Sequence, residues 1–279
     1  MTILVVGSNG FIGEKILFYL KKLQIPSLGI TRSLWSNLKK MNLSKWCLDN
    51  NISHIIYCAG YSKRFNSENI DEIDELEVLS RFLQVKTSNL IYLSSSLVYG
   101  ERNNLDEYKN LSEDLVCHPQ GSYGLYKRVF ERLILFSNKK NKIIRLSSCI
   151  GKDKKSGLFK IIQEKINLDS QNIEMFYADS LRDYIFVDNA AKAIIELTLN
   201  KNAKGIFNLG SNRGYKVSEI IKKFSEYYKK ELKSVKFGQK MSEDPLELIL
   251  NMNKTKKYIS KETWENIYNK DQINFYLNS

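Results

Sequence analysis

Thr2-Ile3-Leu4-Val5-Val6 runs without a break into Gly7-Ser8-Asn9-Gly10-Phe11-Ile12-Gly13, and apolar residues then recur at Ile16, Leu17, Leu20 and Leu23. The opening run is short, apolar and β-branched, the pattern of a strand buried on both faces. From Phe11 to Leu23 the spacing of three and four is that of a helix with one buried stripe. The turn between them has the form Gly-x-x-Gly-x-x-Gly. Its glycines allow a tight turn, close backbone approach to an anion, and close packing of helix on strand. The helix N-terminus adds unpaired N–H groups and the positive end of its dipole. Strand, glycine turn and helix in this order are the setting that a dinucleotide pyrophosphate requires. Gly7, Asn9, Gly10, Phe11, Ile12 and Gly13 are therefore candidate cofactor contacts; a glycine turn that binds nothing is the competing reading.

Further along, Ser27–Thr31 reads as a second strand ending in Thr31-Arg32-Ser33. A site preferring NAD places Asp or Glu there, on the ribose 2′-hydroxyl. Arg32, flanked by hydroxyls that include Ser33, can pair with a 2′-phosphate instead. NADP(H) is accordingly favoured, with NAD(H) as the alternative and a solvated surface Arg as the plain reading. Trp35 to Asn51 is polar and leaves any third strand stunted. Ser53–Cys58 is a buried strand opening at Ala59-Gly60, which adds Ala59 to the cofactor candidates. His54 has no Cys or His partner and reads as a core or strand-edge residue. Ser67–Gln84 is a helix by spacing, with Leu76 and Leu79 on its apolar stripe and an acidic solvated half. Asn89–Ser95 is a strand, Glu101–Pro119 a polar loop, Gly121–Ser137 a helix with Val129, Phe130, Leu133 and Ile134 on its buried stripe, and Lys142–Ser147 a strand. Strands alternating with helices imply an α/β fold: a doubly wound, Rossmann-like parallel sheet covered on both faces. After Gly151 the pattern loosens. Leu158–Ile166, Ala190–Leu199 and Val217–Glu231 look helical; Ile173–Tyr177, Arg182–Asp188 and Gly205–Gly210 look extended, with Asp188 a helix cap. The expected division is a dinucleotide-binding domain of residues 1–150 and about 183–212, and a smaller C-terminal substrate-binding domain of about 151–182 and 213–279.

Gly121-Ser122-Tyr123-Gly124-Leu125-Tyr126-Lys127 holds a Tyr-x-x-x-Lys pair. Positions four apart share a helix face, so Tyr123 and Lys127 can present a phenol and an ammonium to one small volume. A cation beside a phenol favours its ionised form, which makes the pair a candidate general acid/base. The plain reading is an ordinary helix face in a chain rich in Tyr and Lys.

Composition narrows the class. The 279 residues carry a formal charge of +12, with lysines spread along the chain rather than clustered. Such a charge suits an anionic ligand, but no aromatic RNA-reading signature accompanies it, so no nucleic-acid partner is expected. No run approaches the ~20 apolar residues of a membrane span. Cys47, Cys58, Cys117 and Cys149 are scattered, which argues against a metal site and suits the cytoplasm. The first residues lack a basic leader.

Taken together, the glycine turn, Ser94-Ser95-Ser96-Leu97-Val98-Tyr99-Gly100, the Tyr123/Lys127 pair and Arg182-Asp183-Tyr184-Ile185-Phe186-Val187-Asp188 resemble the extended short-chain dehydrogenase/reductase superfamily, within it the NAD(P)-dependent epimerase/dehydratase family acting on nucleotide sugars. The resemblance implies catalytic roles for Tyr123, Lys127 and, counting back from Gly100, Ser95, with Ser94 and Ser96 as fallbacks. It implies substrate contacts at Ser95, Ser96, Arg182 and Ser148, the last standing where the family's Arg-x-x-Asn-x-x-Gly has Asn. Dehydratases of the family follow the catalytic Ser/Thr with Asp-Glu; Ser96 and Leu97 occupy those places and cannot shuttle protons. Many 4-epimerases carry an Arg near a C-terminal Pro, whereas Pro245 is flanked by Glu243, Asp244 and Glu247. The resemblance is therefore to the 4-ketohexose reductases of deoxysugar biosynthesis: an NADPH-dependent reductase of a nucleoside-diphosphate-4-keto-6-deoxyhexose, with a 4-epimerase retaining NAD, or a non-catalytic dinucleotide-binding relative, as alternatives. Relatives pair two helices across a homodimer interface, here Ser67–Gln84 and Gly121–Ser137.

Overall fold

A six-stranded sheet runs in the order β2 (Ser27–Ile30), β1 (Thr2–Val6), β3 (Ile52–Tyr57), β4 (Asn89–Ser95), β5 (Lys142–Leu146) and β9 (Gly205–Leu209), every neighbouring pair parallel. The computed structural model describes residues 1–60, 70–86, 88–100, 111–138, 140–154, 157–167, 172–175, 180–230, 234–237 and 247–279. The expected helix start at 67–69, part of the 101–119 loop, residues 176–177, residue 231 and the segment around Pro245 lie outside the described residues.

Side chains alternate across β1 with period two. Ile3 and Val5 enter one core, with Ile16 and Leu20 of α1 (Phe11–Lys22) and Ala190, Ile194 and Leu197 of α7 (Val187–Leu199). Leu4 and Val6 enter the other, with Trp35 and Leu38 of α2 (Trp35–Lys40), Val78, Leu79 and Phe82 of α4 (Ile70–Leu83), and Tyr126, Phe130 and Ile134 of α5 (Ser122–Ser137). This is the doubly wound sheet expected. The missing third strand is replaced by α2 and a second short helix, α3 (Leu43–Asp49).

A smaller unit stands beyond the C-terminal end of β5. There β8 (Leu181–Phe186) pairs with β6 (Ser148–Ile150), β10 (Gly214–Tyr215) and β12 (Glu247–Leu248), and β7 (Asn172–Met175) pairs with β11 (Ser234–Phe237). Phe159 and Ile162 of α6 (Leu158–Asn167), Ile220 and Phe224 of α8 (Val217–Tyr228) and Tyr276 of α10 (Gln272–Leu277) form its core. Asp183 ties this unit together: its buried carboxylate accepts from Ser211 N (2.7 Å), Ser211 Oγ (2.8 Å), Asn212 N (3.1 Å) and Leu250 N (3.3 Å). Burial pushes its carboxyl up to about 7 against the pull of those donors.

All of β8 pairs in the second sheet, and the chain returns to the main sheet through α7. Several expectations need correction. Helix α7 begins at Val187, three residues early, and Asp188 lies in its first turn rather than capping it, accepting from Tyr19 Oη at 2.8 Å. Helix α8 stops at Tyr228 because Lys229 turns left-handed, at φ 52°. Val129 and Leu133 face outward, 48% and 41% exposed, as does Leu76. Two helices went unread near the C-terminus: α10 and α9 (Lys261–Tyr268). Among the described residues no helix is long and apolar enough to cross a membrane.

Candidate active site

β2 and β3 flank β1 on opposite sides, so the chain reverses its winding between β1 and β3. A crevice opens beyond the strand ends at such a switch point. The glycine turn stands there. Gly7 has φ +84°, and a side chain on it would strike Ala59 N at 2.7 Å. A side chain at Gly13 would collide with the Gly7 carbonyl. Gly7 and Ser8 N–H donate to Ile30 O, at 2.7 and 3.1 Å, which closes the turn over β2. Gly10 caps α1 without a side chain, and Asn9 is exposed beside it, with Phe11 and Ile12 half-buried. Bare backbone and an uncapped helix start fit a dinucleotide pyrophosphate, and these residues would hold it.

Ala59 and the next residue, Gly60, join this turn to the Tyr/Lys pair. Ala59 backs Gly7, and a Cβ on Gly60 would lie 2.9 Å from Lys127 Nζ. Lys127 is 3% exposed. Its ammonium donates to Leu93 O at 3.2 Å and stands 4.7, 5.2 and 5.8 Å from the ring centroids of Tyr92, Tyr126 and Tyr123. The Tyr123 ring is half-buried and packs against both the sheet core and a cluster of Leu97, Val98, Tyr99, Leu111, Leu248 and Leu250. Its hydroxyl makes no hydrogen bond among the described residues, so its proton is available.

The three serines at the end of β4 separate by burial. Ser94 is buried and donates to Glu131 Oε1 at 2.7 Å. Ser96 is buried in the 3-10 turn of residues 96–98. Ser95 is the half-exposed one; its Oγ accepts from Leu97 N at 3.2 Å, and its O–H remains uncommitted among the described residues. Helix α5 comes against this turn because Gly124 has no side chain: a Cβ there would lie 2.7 Å from Leu97 O. Below the serines, Glu131 takes Arg145 Nε and Nη2 at 3.0 and 2.9 Å and Arg128 Nη1 at 2.8 Å. Burial disfavours the Arg145 charge, but Glu131 more than offsets it and the guanidinium is held more firmly protonated than usual. Arg145 also stacks on Tyr99, 4.7 Å from its centroid.

The remaining candidates lie further out. Arg32 is exposed at the end of β2 and packs on Trp35, 5.1 Å from the ring centroid; beside it Ser33 and Thr31 pair their hydroxyls at 2.7 Å. Ser148, half-buried, opens β6, and Arg182, 9% exposed, lies on β8 opposite Tyr215. Ser148 and Arg182 thus belong to the second sheet. Sequence reasoning passed over Gly60, Gly124, Glu75 and Glu131. Glycine directly after Ala59 and between Tyr123 and Lys127 was the signal for the first two; the acids looked like ordinary helix-face residues. The ion pair yields a prediction. Glu131→Gln leaves Arg145 buried without its counter-charge and lowers stability by about 3–5 kcal/mol. Urea denaturation checks this; a loss within error would mean that the pair does not anchor α5.

Comparison with known proteins follows the same outline. The model of the NAD dependent epimerase/dehydratase family matches residues 3–210. The ADP-L-glycero-D-manno-heptose-6-epimerase of Brachyspira hyodysenteriae is 24% identical over 262 residues, covering 81% of both chains. The dTDP-4-dehydro-6-deoxyglucose reductase of Escherichia coli is 25% identical over 257 residues, covering 78% of this chain and 79% of that one. Among solved structures, the UDP-glucose 4-epimerase of Thermotoga maritima, determined with UDP-glucose, superposes with a TM-score of 0.80 at 19% identity, over 100% of this chain and 98% of that one. With the family model spanning the whole main sheet and both candidate motifs, the chain belongs to the NAD dependent epimerase/dehydratase family.

Proposed function

We propose that this protein is a cytoplasmic, NADPH-dependent reductase that acts at C4 of a nucleoside-diphosphate-4-keto-6-deoxyhexose. One observation carries the reading: adjacent residues at the end of β3, Ala59 and Gly60, touch the glycine turn and the Lys127 ammonium respectively. A cofactor on the turn would therefore lie beside the Tyr123/Lys127 pair. The nicotinamide supplies the hydride. Tyr123 gives its proton to the C4 oxygen. Ser95 donates a hydrogen bond to the same oxygen and orients it. Lys127 holds the nicotinamide ribose and faces the phenolate left behind. Arg182 and Ser148, with Ser96 near the sugar, would hold the nucleotide-sugar substrate. Elimination of water is disfavoured, because Ser96 and Leu97 are buried and neither carries a titratable proton donor. A 4-epimerase that retains NAD is the second reading; the relative named as a heptose-6-epimerase supports epimerisation as a class of reaction, not its position.

Tyr123→Phe should lower turnover with a nucleotide 4-keto sugar by about 10²–10⁴-fold, with NADPH affinity nearly intact; unchanged turnover removes Tyr123 from the chemistry. Oxidation of neither NADPH nor NADH against such sugars, with NAD co-purifying, supports the epimerase instead.

Arg32 supports the choice of NADPH, because a guanidinium at this strand end meets a 2′-phosphate and has no carboxylate's role toward a 2′-hydroxyl. Arg32→Ala should weaken NADPH binding about tenfold or more, the worth of a charged hydrogen bond, and leave NADH binding unchanged. Equal losses for both cofactors would sink the preference.

The exposed stripe Leu125, Val129, Leu133 and Phe136 on α5, with Leu76 on α4, supports a homodimer built on these two helices. Light scattering should give twice the chain mass, and Leu133→Asp should give the monomer. A monomeric wild-type protein at working concentration overturns the dimer.

A further inference from the structure

A buried ammonium needs a counter-charge or a full set of acceptors. Lys127 is 3% exposed, with one backbone carbonyl and three tyrosine rings around it. The groups that face it come from four elements. At the end of β3, Tyr57 stays protonated because burial raises it, and burial pushes the thiol of Cys58, the next residue, up to about 12. From β4, Tyr92 is raised in the same way. From α5, Tyr126 is raised by burial and by the neighbouring Glu75 carboxylate. The Arg32 charge acts on Tyr57 in the opposite sense, without reversing that shift. Among the described residues, that leaves one anion in the pocket: Glu75 of α4, with no exposed surface at all. Tyr126 Oη donates to Glu75 Oε2 at 2.8 Å. The point where a Gly60 Cβ would stand is 2.9 Å from Lys127 Nζ, 3.2 Å from Tyr126 Oη and 3.5 Å from Glu75 Oε1. Ammonium, phenol and carboxylate thus crowd the same missing side chain.

We propose that Glu75 is a positioning residue: its buried carboxylate, held by the Tyr126 phenol, is the counter-charge that seats the Lys127 ammonium against Gly60. This rests on the reading of Lys127 as the ribose-holding cation. Glu75 touches neither substrate nor cofactor; it acts through Lys127. Tyr126 is the second member, since its hydrogen bond aims one carboxylate oxygen at this corner of the pocket. Gly60 is the third, because any side chain there would occupy the space into which the ammonium fits. The acidic half of α4 therefore serves two ends: Glu77 is solvated and pairs with Lys39 at 2.8 Å, whereas Glu75 points inward to the site.

The test is NADPH affinity, followed by fluorescence titration of the intact protein at neutral pH. Lys127→Met weakens binding, and Glu75→Gln weakens it about tenfold, the worth of one charge-assisted contact. Glu75→Asp, which keeps the charge, restores most of the affinity. On the Lys127→Met background, Glu75→Gln has no further effect, the coupling expected of a residue that acts through the ammonium. Should Glu75→Gln fail to fold, Tyr126→Phe, which removes the hydrogen bond that holds the carboxylate, carries a smaller loss in the same direction. A folded Glu75→Gln or Tyr126→Phe with wild-type affinity, or equal losses with and without Lys127, overturns the role of Glu75 while leaving the reductase reading intact. A wild-type protein that binds neither NADPH nor NADH overturns both.

Discussion

The ion pair between Glu131 and Arg145 is the constraint on which the candidate site depends. Tyr123, Lys127 and Glu131 stand at intervals of four on α5, so they form one stripe along the helix. The stripe begins with the phenol, continues with the ammonium and ends in a carboxylate locked to β5 by two hydrogen bonds and to β4 through Ser94. Ser94 is the neighbour of Ser95. Any rotation of α5 about its axis would break the Glu131 contacts and swing the phenol away from the serine turn in the same movement. Well-packed apolar residues can match a buried ion pair in stability, but they lack direction. Two bonds from a planar guanidinium fix an angle, and an angle is what a proton donor requires.

Steric absence does the complementary work. Gly13 lets α1 approach Gly7, Gly7 lets the turn approach Ala59, Gly60 leaves room for Lys127, and Gly124 lets α5 approach Leu97. Each close approach brings one part of the site against the next. A methyl group at any of these positions would meet backbone or the ammonium itself, so the site can be lost without touching a catalytic side chain.

The central strands and their helices were legible because β1, β3, β4 and β5 are covered on both faces. Such strands read as unbroken apolar runs, and the helices between them keep a clear spacing. The tyrosine and lysine candidates came from their spacing and the serine from the family resemblance, and burial then separates Ser95 from its neighbours. Other features were hidden for physical reasons. Val129 and Leu133 looked like core because periodicity shows that a residue is apolar, not which side covers it. Glu75 looked solvated because its neighbours on α4 are acidic, yet its position on the helix turns it toward β3. Helices α9 and α10 are short; their signals were the caps, Ser260 accepting from Thr263 N and Asp271 accepting from Ile273 N, rather than any long stripe.

The second sheet matters to the chemistry through Tyr123. Its ring packs against the main core and against the cluster in which Leu248 and Leu250 join Leu97, Val98, Tyr99 and Leu111. Leu248 pairs with Arg182 on β8, and Leu250 N donates to Asp183. Asn208 at the end of β9 draws the same region inward, accepting from Tyr99 Oη and donating to Leu111 O and Asn251 O. Tyr123, the proposed proton donor, therefore borders a cluster to which both units contribute. The glycine turn belongs to one unit and Arg182 to the other. On the proposed reading, packing in the second unit bears on how a substrate meets the phenol, so variation there can redirect the chemistry while Tyr123 and Lys127 stay the same.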